Sequence, residues 1–159
     1  MDYLWTPWRY RYMAEAAGQQ TGCIFCSALE KKDDAETLIV FRGKKNFILL
    51  NRYPYTSGHV MIVPYAHIPD LKDCDAETLA EMMLLAQRAE GALAAAYKPD
   101  GFNLGMNLGR AAGAGVTGHV HLHVLPRWIG DANFMSVVGE TRVEPEDLRT
   151  TYEKLRKAL

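Results

Sequence analysis

The stretch GHVHLHVLP at residues 118–126 carries a histidine at every second position, with valine or leucine between them and a proline at its end. In an extended strand successive side chains point to opposite faces, so His119, His121 and His123 are predicted to share one face. Imidazole has an ordinary pKa close to neutral pH, and it can act as nucleophile, proton carrier or metal ligand. Three of the chain's five histidines stand here, so the stretch indicates chemistry rather than packing.

Length and charge limit what surrounds this strand. The chain has 159 residues, enough for one domain with its own hydrophobic core. Eighteen basic and nineteen acidic side chains give a net charge of -1, which argues against a dedicated nucleic-acid-binding protein. No apolar run approaches the length of a membrane span, and residues 1–13 lack the apolar core of a signal peptide. With an odd number of cysteines and no export signal, the composition predicts a cytoplasmic protein.

Patterning along the chain predicts an α+β domain built on an antiparallel sheet. Runs of strand-forming residues are joined by short turns and are expected at 37–41, 46–50, 59–63, 102–108 and the histidine strand itself. Strands that follow one another through short turns are typical of antiparallel pairing. A loop rich in glycine and alanine at 109–118 leads into the histidine strand.

One long helix is predicted at 75–97, where apolar residues recur at intervals of three and four and carboxylates enrich the first turn. Its apolar face is expected to pack on the sheet. Shorter helices are predicted at 23–32 and 144–158. The single domain spans the whole chain, with residues 1–22 as an irregular N-terminal arm and 129–159 as a C-terminal extension.

Cys23 and Cys26 are separated by two residues, a spacing that lets two thiolates reach one tetrahedral metal ion. The same spacing occurs in thioredoxin-like redox pairs, but those need a βαβ context that the surrounding sequence does not show. The residues therefore favour a metal site, and reduced, metal-free cysteines remain the alternative. Cys74 is expected to be a buried thiol at the start of a helix.

The chain resembles the histidine triad family, whose signature alternates three histidines with apolar residues. LNRYP at 50–54 and GHV at 58–60 are similar to the strand and turn of the fragile histidine triad hydrolases. LWTPWR at 4–9, PRW at 126–128 and DANF at 131–134 look most like the bacterial diadenosine tetraphosphate phosphorylases. The resemblance covers nearly the whole chain and implies a homodimer that binds adenine nucleotides or dinucleoside polyphosphates.

Covalent nucleotidyl transfer is the mechanism that the resemblance implies. His121 would attack the α-phosphate of a nucleotide, and phosphate or water would then resolve the nucleotidyl-histidine. A backbone carbonyl near His119 would hold the other ring nitrogen of His121, and His123 would contact the phosphate. The implied enzyme is a phosphorylase or hydrolase of dinucleoside polyphosphates such as diadenosine tetraphosphate. The alternatives are an adenosine 5'-monophosphoramidase with the same nucleophile and a zinc-stabilised nucleotide-binding module without useful turnover.

The resemblance also implies substrate-binding residues. They are Asn51 for the ribose, His59, Asn107 and Gly115 for the phosphates, Ile24, Phe25 and Leu50 for the base, and Trp128 as the phosphorylase-like tryptophan. The apolar members are by themselves equally typical of a core. Gly115 departs from the family, which has glutamine or serine there to orient the acceptor or protonate the leaving group. The acceptor is therefore open between water and phosphate, although backbone N–H groups of 113–115 could cradle a phosphate.

For the metal site, the resemblance implies His67 and His119 as the two remaining ligands. Together with Cys23 and Cys26 they would form a closed Cys2His2 site, which is typical of structural zinc. Such a site would clamp the N-terminal arm to the sheet and orient the strand that carries the nucleophile.

Overall fold

Residues 22–132 and 146–159 are described by the computed structural model, and the structural statements below concern these residues. The predicted N-terminal arm lies outside this range except for Gly22, as does the part of the C-terminal extension from 133 to 145. Within the described residues, no helix combines the length and apolar character that crossing a membrane requires.

The described residues contain one antiparallel sheet. Its strands are β1 (Ile39–Arg42), β2 (Asn46–Leu50), β3 (Val60–Pro64), β4 (Gly101–Gly105) and β5 (Leu122–Arg127). Their order across the sheet is β1-β2-β3-β5-β4, and every neighbouring pair is antiparallel. β5 therefore lies between β3 and β4, and the predicted α+β class is confirmed.

Within the described residues four helices accompany the sheet: α1 (Ile24–Glu30), α2 (Asp34–Thr37), α3 (Ala76–Tyr97) and α4 (Leu148–Ala158). Single 3-10 turns occupy Leu71–Asp73 and Arg110–Ala112. The long helix α3 packs across β2, β3 and β5, while α4 packs against α3 and β1. The long helix and the C-terminal helix are thus both present, on the same face of the sheet.

Side-chain caps explain where the two longer helices begin. The Asp75 carboxylate accepts the N–H of Thr78 at 2.6 Å, which satisfies one of the unpaired donors of the first turn of α3. The Asp147 carboxylate accepts the N–H groups of Arg149 and Thr150 at 3.0 Å each. The C-terminal helix therefore begins at Leu148, later than the predicted 144.

Buried apolar side chains form a cluster on each face of the sheet. Beneath α3 the larger cluster includes Ile48, Leu50 and Val124, and on the opposite face Phe25 of α1 packs with Leu49 and Met61. Every residue of β2 and β3 is buried, as expected for strands covered on both sides. His123 pairs with Met61, so its side chain belongs to the face that α1 covers.

Several strand boundaries differ from the predicted ones. Thr37 belongs to α2, because Leu38 adopts a left-handed conformation (φ 65°) that ends this short helix before β1 begins. β4 ends at Gly105 rather than at 108, and β3 begins at Val60 and includes Pro64. β5 begins at Leu122, so the first two triad histidines come before the paired strand.

Gly58 shapes the loop between β2 and β3. Its φ is +81°, and an added Cβ would lie 2.8 Å from Leu93 Cδ2. The same Cβ would lie 3.3 Å from Pro126 Cγ, which leaves no room for a side chain. The close turn places the following residue, His59, directly before β3.

Glu81 of α3 fastens the turn between β1 and β2. Its carboxylate accepts the backbone N–H groups of Lys44, Lys45 and Asn46 at 2.7, 2.6 and 2.8 Å. The Asn46 side-chain amide also donates to Glu81, at 3.0 Å. A single helix carboxylate therefore satisfies consecutive main-chain donors of the turn.

Candidate active site and metal centre

Four histidines form a buried cluster at the sheet face that α1 covers. His59, His119, His121 and His123 are each at most 8% exposed. The ring centroids of His121 and His123 lie 4.9 Å apart, and those of His59 and His123 lie 5.0 Å apart. We refer to His59, His121 and His123 as the triad site. The His119 ring instead faces Cys23 and Cys26.

His121 has a defined proton position. Its Nδ1 lies 2.8 Å from the carbonyl oxygen of His119, and a carbonyl can only accept, so Nδ1 carries the proton. The Nε2 atom of a neutral His121 therefore keeps its lone pair. Burial lowers the pKa of His121, an effect that the hydrogen bond to the carbonyl partly opposes, and the neutral ring is favoured. A neutral imidazole with one bare nitrogen is the state that nucleophilic attack requires.

His59 sets the proton position on His123. The backbone N–H of Tyr55 donates to Nδ1 of His59 at 3.1 Å, so the His59 proton resides on Nε2. This Nε2 lies 2.8 Å from Nδ1 of His123, to which it donates. The neutral His123 ring consequently carries its own proton on Nε2, where it can serve as a donor to an anionic oxygen.

Burial keeps these two rings uncharged. Burial, together with smaller effects of the neighbouring His123 and His121 rings, lowers the pKa of His59 to about 3. It also lowers the pKa of His123 to about 4, again with a smaller contribution from His121. Both rings are therefore neutral at physiological pH, as the assigned hydrogen bonds require.

His59 was expected among the phosphate contacts, but the structure gives it different neighbours. It is 1% exposed, and both of its ring nitrogens face protein atoms. The Tyr55 ring lies 4.7 Å from the His59 ring and 6.0 Å from the His123 ring, between centroids. His59 is therefore placed to orient His123 rather than to meet a phosphate directly.

Asn51 lies beside this pair. Its Oδ1 accepts the backbone N–H of Tyr53 at 3.0 Å, and its Nδ2 lies 3.3 Å from His59 Nδ1 and 3.5 Å from His59 Nε2. The half-buried amide thus sits at the His59 ring and stabilises the turn that leaves β2. The structure brings Asn51 to the triad site, and its contact with a ribose stays a prediction.

The four predicted metal ligands converge on one point. Cys23, Cys26, His67 and His119 each contribute one ligand atom, and all these atoms lie within 4.8 Å of one another. We call this set the Cys/His cluster. Sγ of Cys23 lies 3.3 Å from Nδ1 of His119, Sγ of Cys26 lies 3.4 Å from Nδ1 of His67, and Cys26 Sγ lies 3.8 Å from His119 Nδ1. Tetrahedral zinc with ordinary bond lengths requires S to N separations of about 3.6 Å, so the cluster fits zinc.

The proton on His119 is also placed for metal binding. Its Nε2 lies 2.9 Å from the carbonyl oxygen of Pro64 and must donate to it, which leaves Nδ1 bare and aimed at the sulfurs. Burial raises the pKa of Cys26, and the nearby Cys23 raises it further. Two adjacent thiolates repel each other, and a cation between them reverses that repulsion. Cys74, the third cysteine, lies half-buried before α3 and takes no part in the cluster.

The three residues expected at the base slot do not share one environment. Phe25 is 1% exposed, with its ring centroid 5.3 Å from that of His119 and 5.1 Å from that of His121. Ile24 precedes it and is 37% exposed. Leu50 lies on the opposite face of the sheet, in the cluster beneath α3, because strand alternation gives the Phe25 face to Leu49. The structure therefore separates Leu50 from the other two.

The other three predicted substrate contacts, Asn107, Gly115 and Trp128, lie in different parts of the structure. Asn107 follows β4, whose last residue Gly105 pairs with His123, so the chain continues there towards His121. Gly115 is exposed in the loop before the triad. Trp128 lies beyond the opposite end of β5, where its indole N–H donates to the Tyr97 carbonyl at 3.4 Å. The structure does not bring Trp128 to the triad histidines.

Main-chain groups supply contacts that the sequence did not reveal. The N–H of Tyr55 and the carbonyl of Pro64 fix the proton positions of His59 and His119. Any residue type offers these atoms, so composition carries no signal for them. Only the neighbouring LNRYP and GHV motifs pointed to this region.

An antiparallel sheet with three alternating histidines at the start of its β5 strand and directly before it is typical of the histidine triad proteins. The HIT domain model matches residues 32–128, and the chain belongs to the HIT family. The AP-4-A phosphorylase of Mycobacterium tuberculosis strain H37Rv is 41% identical over 157 residues, covering 95% of this chain and 80% of that protein. A bis(5'-adenosyl)-triphosphatase of Dictyostelium discoideum is 32% identical over 120 residues, covering 75% and 78%.

Solved structures show the same relationship. The crystal structure of a Zn-bound histidine triad family protein from Mycobacterium smegmatis matches with a TM-score of 0.70 and 32% identity. That match covers 86% of this chain and 92% of the other. The fold described above is therefore shared by a solved member of the family.

Proposed function

We propose that this chain cleaves dinucleoside polyphosphates, such as diadenosine tetraphosphate, through a covalent nucleotidyl-histidine at His121. The observation that carries the proposal is the 2.8 Å contact between Nδ1 of His121 and the His119 carbonyl, which leaves Nε2 bare. The AP-4-A phosphorylase and the bis(5'-adenosyl)-triphosphatase among the relatives support the substrate class.

In the first step, the Nε2 lone pair of His121 attacks the α-phosphorus in line. The bond from phosphorus to the bridging oxygen breaks, and the leaving nucleotide, ATP from diadenosine tetraphosphate, departs with the electron pair. The ring then carries a positive charge, which the His119 carbonyl stabilises through the Nδ1 proton. The Nε2 proton of His123 donates to a phosphoryl oxygen as charge develops there.

In the second step, an acceptor attacks the same phosphorus and restores the neutral ring of His121. Inorganic phosphate gives ADP, and water gives AMP. Gly115 offers no side-chain donor, so backbone N–H groups of the loop at 113–115 are the proposed cradle for the incoming or departing phosphates.

Product analysis tests the reaction and identifies the acceptor. The protein is incubated with diadenosine tetraphosphate, with and without radiolabelled inorganic phosphate, and the nucleotides are separated by ion exchange. Label in ADP together with unlabelled ATP identifies a phosphorylase, and ATP plus AMP identifies a hydrolase. Cleavage of adenosine phosphoramidate with little action on the dinucleotide would instead support the monophosphoramidase.

The covalent step has its own test. Wild-type protein is mixed with adenine-labelled diadenosine tetraphosphate and quenched without acid, and label on the protein is expected. The His121→Ala variant should carry none, while Lys157→Ala, an exposed change on α4, should label normally. Tight reversible binding without any adduct would contradict the enzyme and support a nucleotide-binding module.

We further propose that the Cys/His cluster binds structural zinc. The ligand separations and the bare Nδ1 of His119 support it, as does the Zn-bound relative. Reduced thiolates are needed for such a site, which agrees with the proposed cytoplasmic location. One zinc per chain is expected by elemental analysis of the purified protein, and Cys26→Ser should lower that content.

The proposed assembly is a homodimer. Among the described strands β4 lies at an edge of the sheet, and its Leu104 is 44% exposed on the same sheet face as α3, whose Met83 and Leu84 are 58% and 63% exposed. An edge strand and exposed apolar side chains each favour pairing with a second copy. Sedimentation should give twice the chain mass, and Leu104→Asp should shift it towards the monomer; a monomeric wild type at micromolar concentration would overturn the dimer.

A further inference from the structure

His119 belongs to the metal cluster and to the triad site at once. Its ring Nδ1 lies 3.3 Å from Cys23 Sγ, and its ring Nε2 donates to the Pro64 carbonyl at 2.9 Å. Its main-chain carbonyl accepts the Nδ1 proton of His121 at 2.8 Å. The residue is fully buried, so the ring that faces the cysteines and the carbonyl that fixes the proton on His121 are held in the same packed environment.

Phe25 provides a second physical link. It stands between the two cysteines in the sequence, on the first turn of α1, and is 1% exposed. Its ring meets the His119 ring edge-on at 5.3 Å and the His121 ring at 5.1 Å. The helical turn that supplies the thiolates therefore also presses an aromatic ring against the proposed nucleophile.

We propose that metal loading at the Cys/His cluster orders His121, and that His119 and Phe25 are the positioning residues that transmit it. Ligation holds the thiolate-bearing turn and the His119 ring in place, so that His121 keeps one proton position and one ring orientation. In the metal-free protein the α1 turn is released, and His121 populates other orientations. The ion bound by the cluster is a divalent cation that prefers thiolate and imidazole, and zinc is the ion used in the tests below. This inference rests on the proposed role of His121 as nucleophile.

Nuclear magnetic resonance of the histidine ring nitrogens tests the coupling without any turnover. Full-length protein is stripped with a chelator and titrated with zinc alone, and ring 15N shifts are assigned with the His121→Ala variant. Zinc-loaded protein is expected to show a single His121 species with the proton on Nδ1. Metal-free protein is expected to show averaged or multiple His121 signals, and identical His121 signals in both forms would overturn the proposal.

Single-turnover labelling by diadenosine tetraphosphate gives the second readout. Cys26→Ser is expected to reduce the rate of adduct formation by about 10- to 100-fold, with the averaged His121 signals of the metal-free protein. Cys74→Ser changes the same residue type outside the cluster and should match wild type in both measurements.

Phe25→Leu separates coupling from metal binding and from folding. Leucine keeps an apolar side chain in the core while losing the ring contacts, so zinc content should stay at the wild-type value. The rate of adduct formation is expected to fall by about 10-fold or more with KM unchanged, and His121 signals should broaden. A raised KM at wild-type rate would mean that Phe25 contacts the base, and it would overturn its positioning role.

The two proposals fail in different ways. Absence of any adduct in zinc-loaded wild type removes the proposed function, while the zinc-dependent His121 signals still show whether the coupling exists. Normal adduct formation in both the metal-free protein and Phe25→Leu removes the coupling and leaves the proposed function standing. If the metal-free protein unfolds, the adduct-formation rate and His121 signals of the zinc-loaded Phe25→Leu variant test the coupling on their own.

Discussion

Main-chain atoms determine where His59, His119 and His121 carry their protons, and the His59 ring in turn determines it for His123. The Tyr55 N–H, the His119 carbonyl and the Pro64 carbonyl each contact one histidine ring. The alternation of His119, His121 and His123 made their clustering predictable from sequence. The family resemblance implied the carbonyl contact of His121, but the proton positions of His59 and His119 were not predictable, because they depend on how the loop before β3 and the end of β3 approach these rings in space.

Replacing His59 tests whether it acts through His123. His59→Phe keeps a planar ring but removes both hydrogen bonds, so the proton on His123 is no longer fixed to Nε2. We expect kcat to fall by about 10- to 100-fold, the equivalent of one lost buried hydrogen bond, with KM little changed. Steady-state kinetics measure both constants.

His59→Gln retains one acceptor and one donor and should recover part of the lost kcat. An equal rise in KM for both variants would instead indicate that His59 contacts the substrate.

At the level of elements, the strand and helix patterns fix most of the architecture. Alternation placed the triad on one face, and the periodicity at 75–97 located α3 to within a residue at its start. Leu50 was assigned to the base slot because the motif match ignored alternation, which gives Leu49 to the side of Phe25. Boundaries set by single residues, such as the left-handed Leu38, carry no periodic signal.

We predict that the loop before His59 requires glycine at position 58. Gly58→Ala forces a Cβ onto Leu93 and onto a backbone with φ +81°, and is expected to cost about 1–3 kcal/mol of unfolding free energy. Gly91→Ala makes the same chemical change in the middle of α3, where nothing lies within 4 Å of the new Cβ. It should stabilise by up to about 1 kcal/mol. Urea denaturation of both variants measures the difference, and similar effects of the two changes would contradict the steric argument.

At the scale of the whole molecule, folding buries the His59 and His123 rings, and both rings are uncharged when buried. His59 and His123 have pKa values of about 3 and about 4 when folded, against 6.5 in an exposed ring. The unfolded chain therefore binds protons that the folded chain excludes as the pH falls below 6.5. Protonation of these two histidines in the unfolded chain does not reduce the free energy of unfolding above pH 6.5. Below that pH it reduces the free energy of unfolding progressively, down to the lowered pKa values.

Stability is accordingly expected to decrease between about pH 6.5 and 5, by up to about 1.4 kcal/mol per pH unit for each of the two histidines. Urea midpoints of chelator-treated wild type measure the slope, since the chelator removes the separate pH dependence of metal binding. His59→Phe should show a shallower slope, and a flat profile for wild type over this interval would contradict the burial of neutral rings.

The turn between β1 and β2 affects where a polyphosphate can bind. Consecutive main-chain N–H groups beside two lysines resemble an anion-binding nest, yet the carboxylate of Glu81 already fills it. Lys45 is in addition paired with Asp75 and Glu77 at 3.7 and 3.2 Å. The main-chain N–H groups of this turn are therefore not free to bind a phosphate, and we expect the proposed polyphosphate substrate to bind at the triad site, on the sheet face that α1 covers.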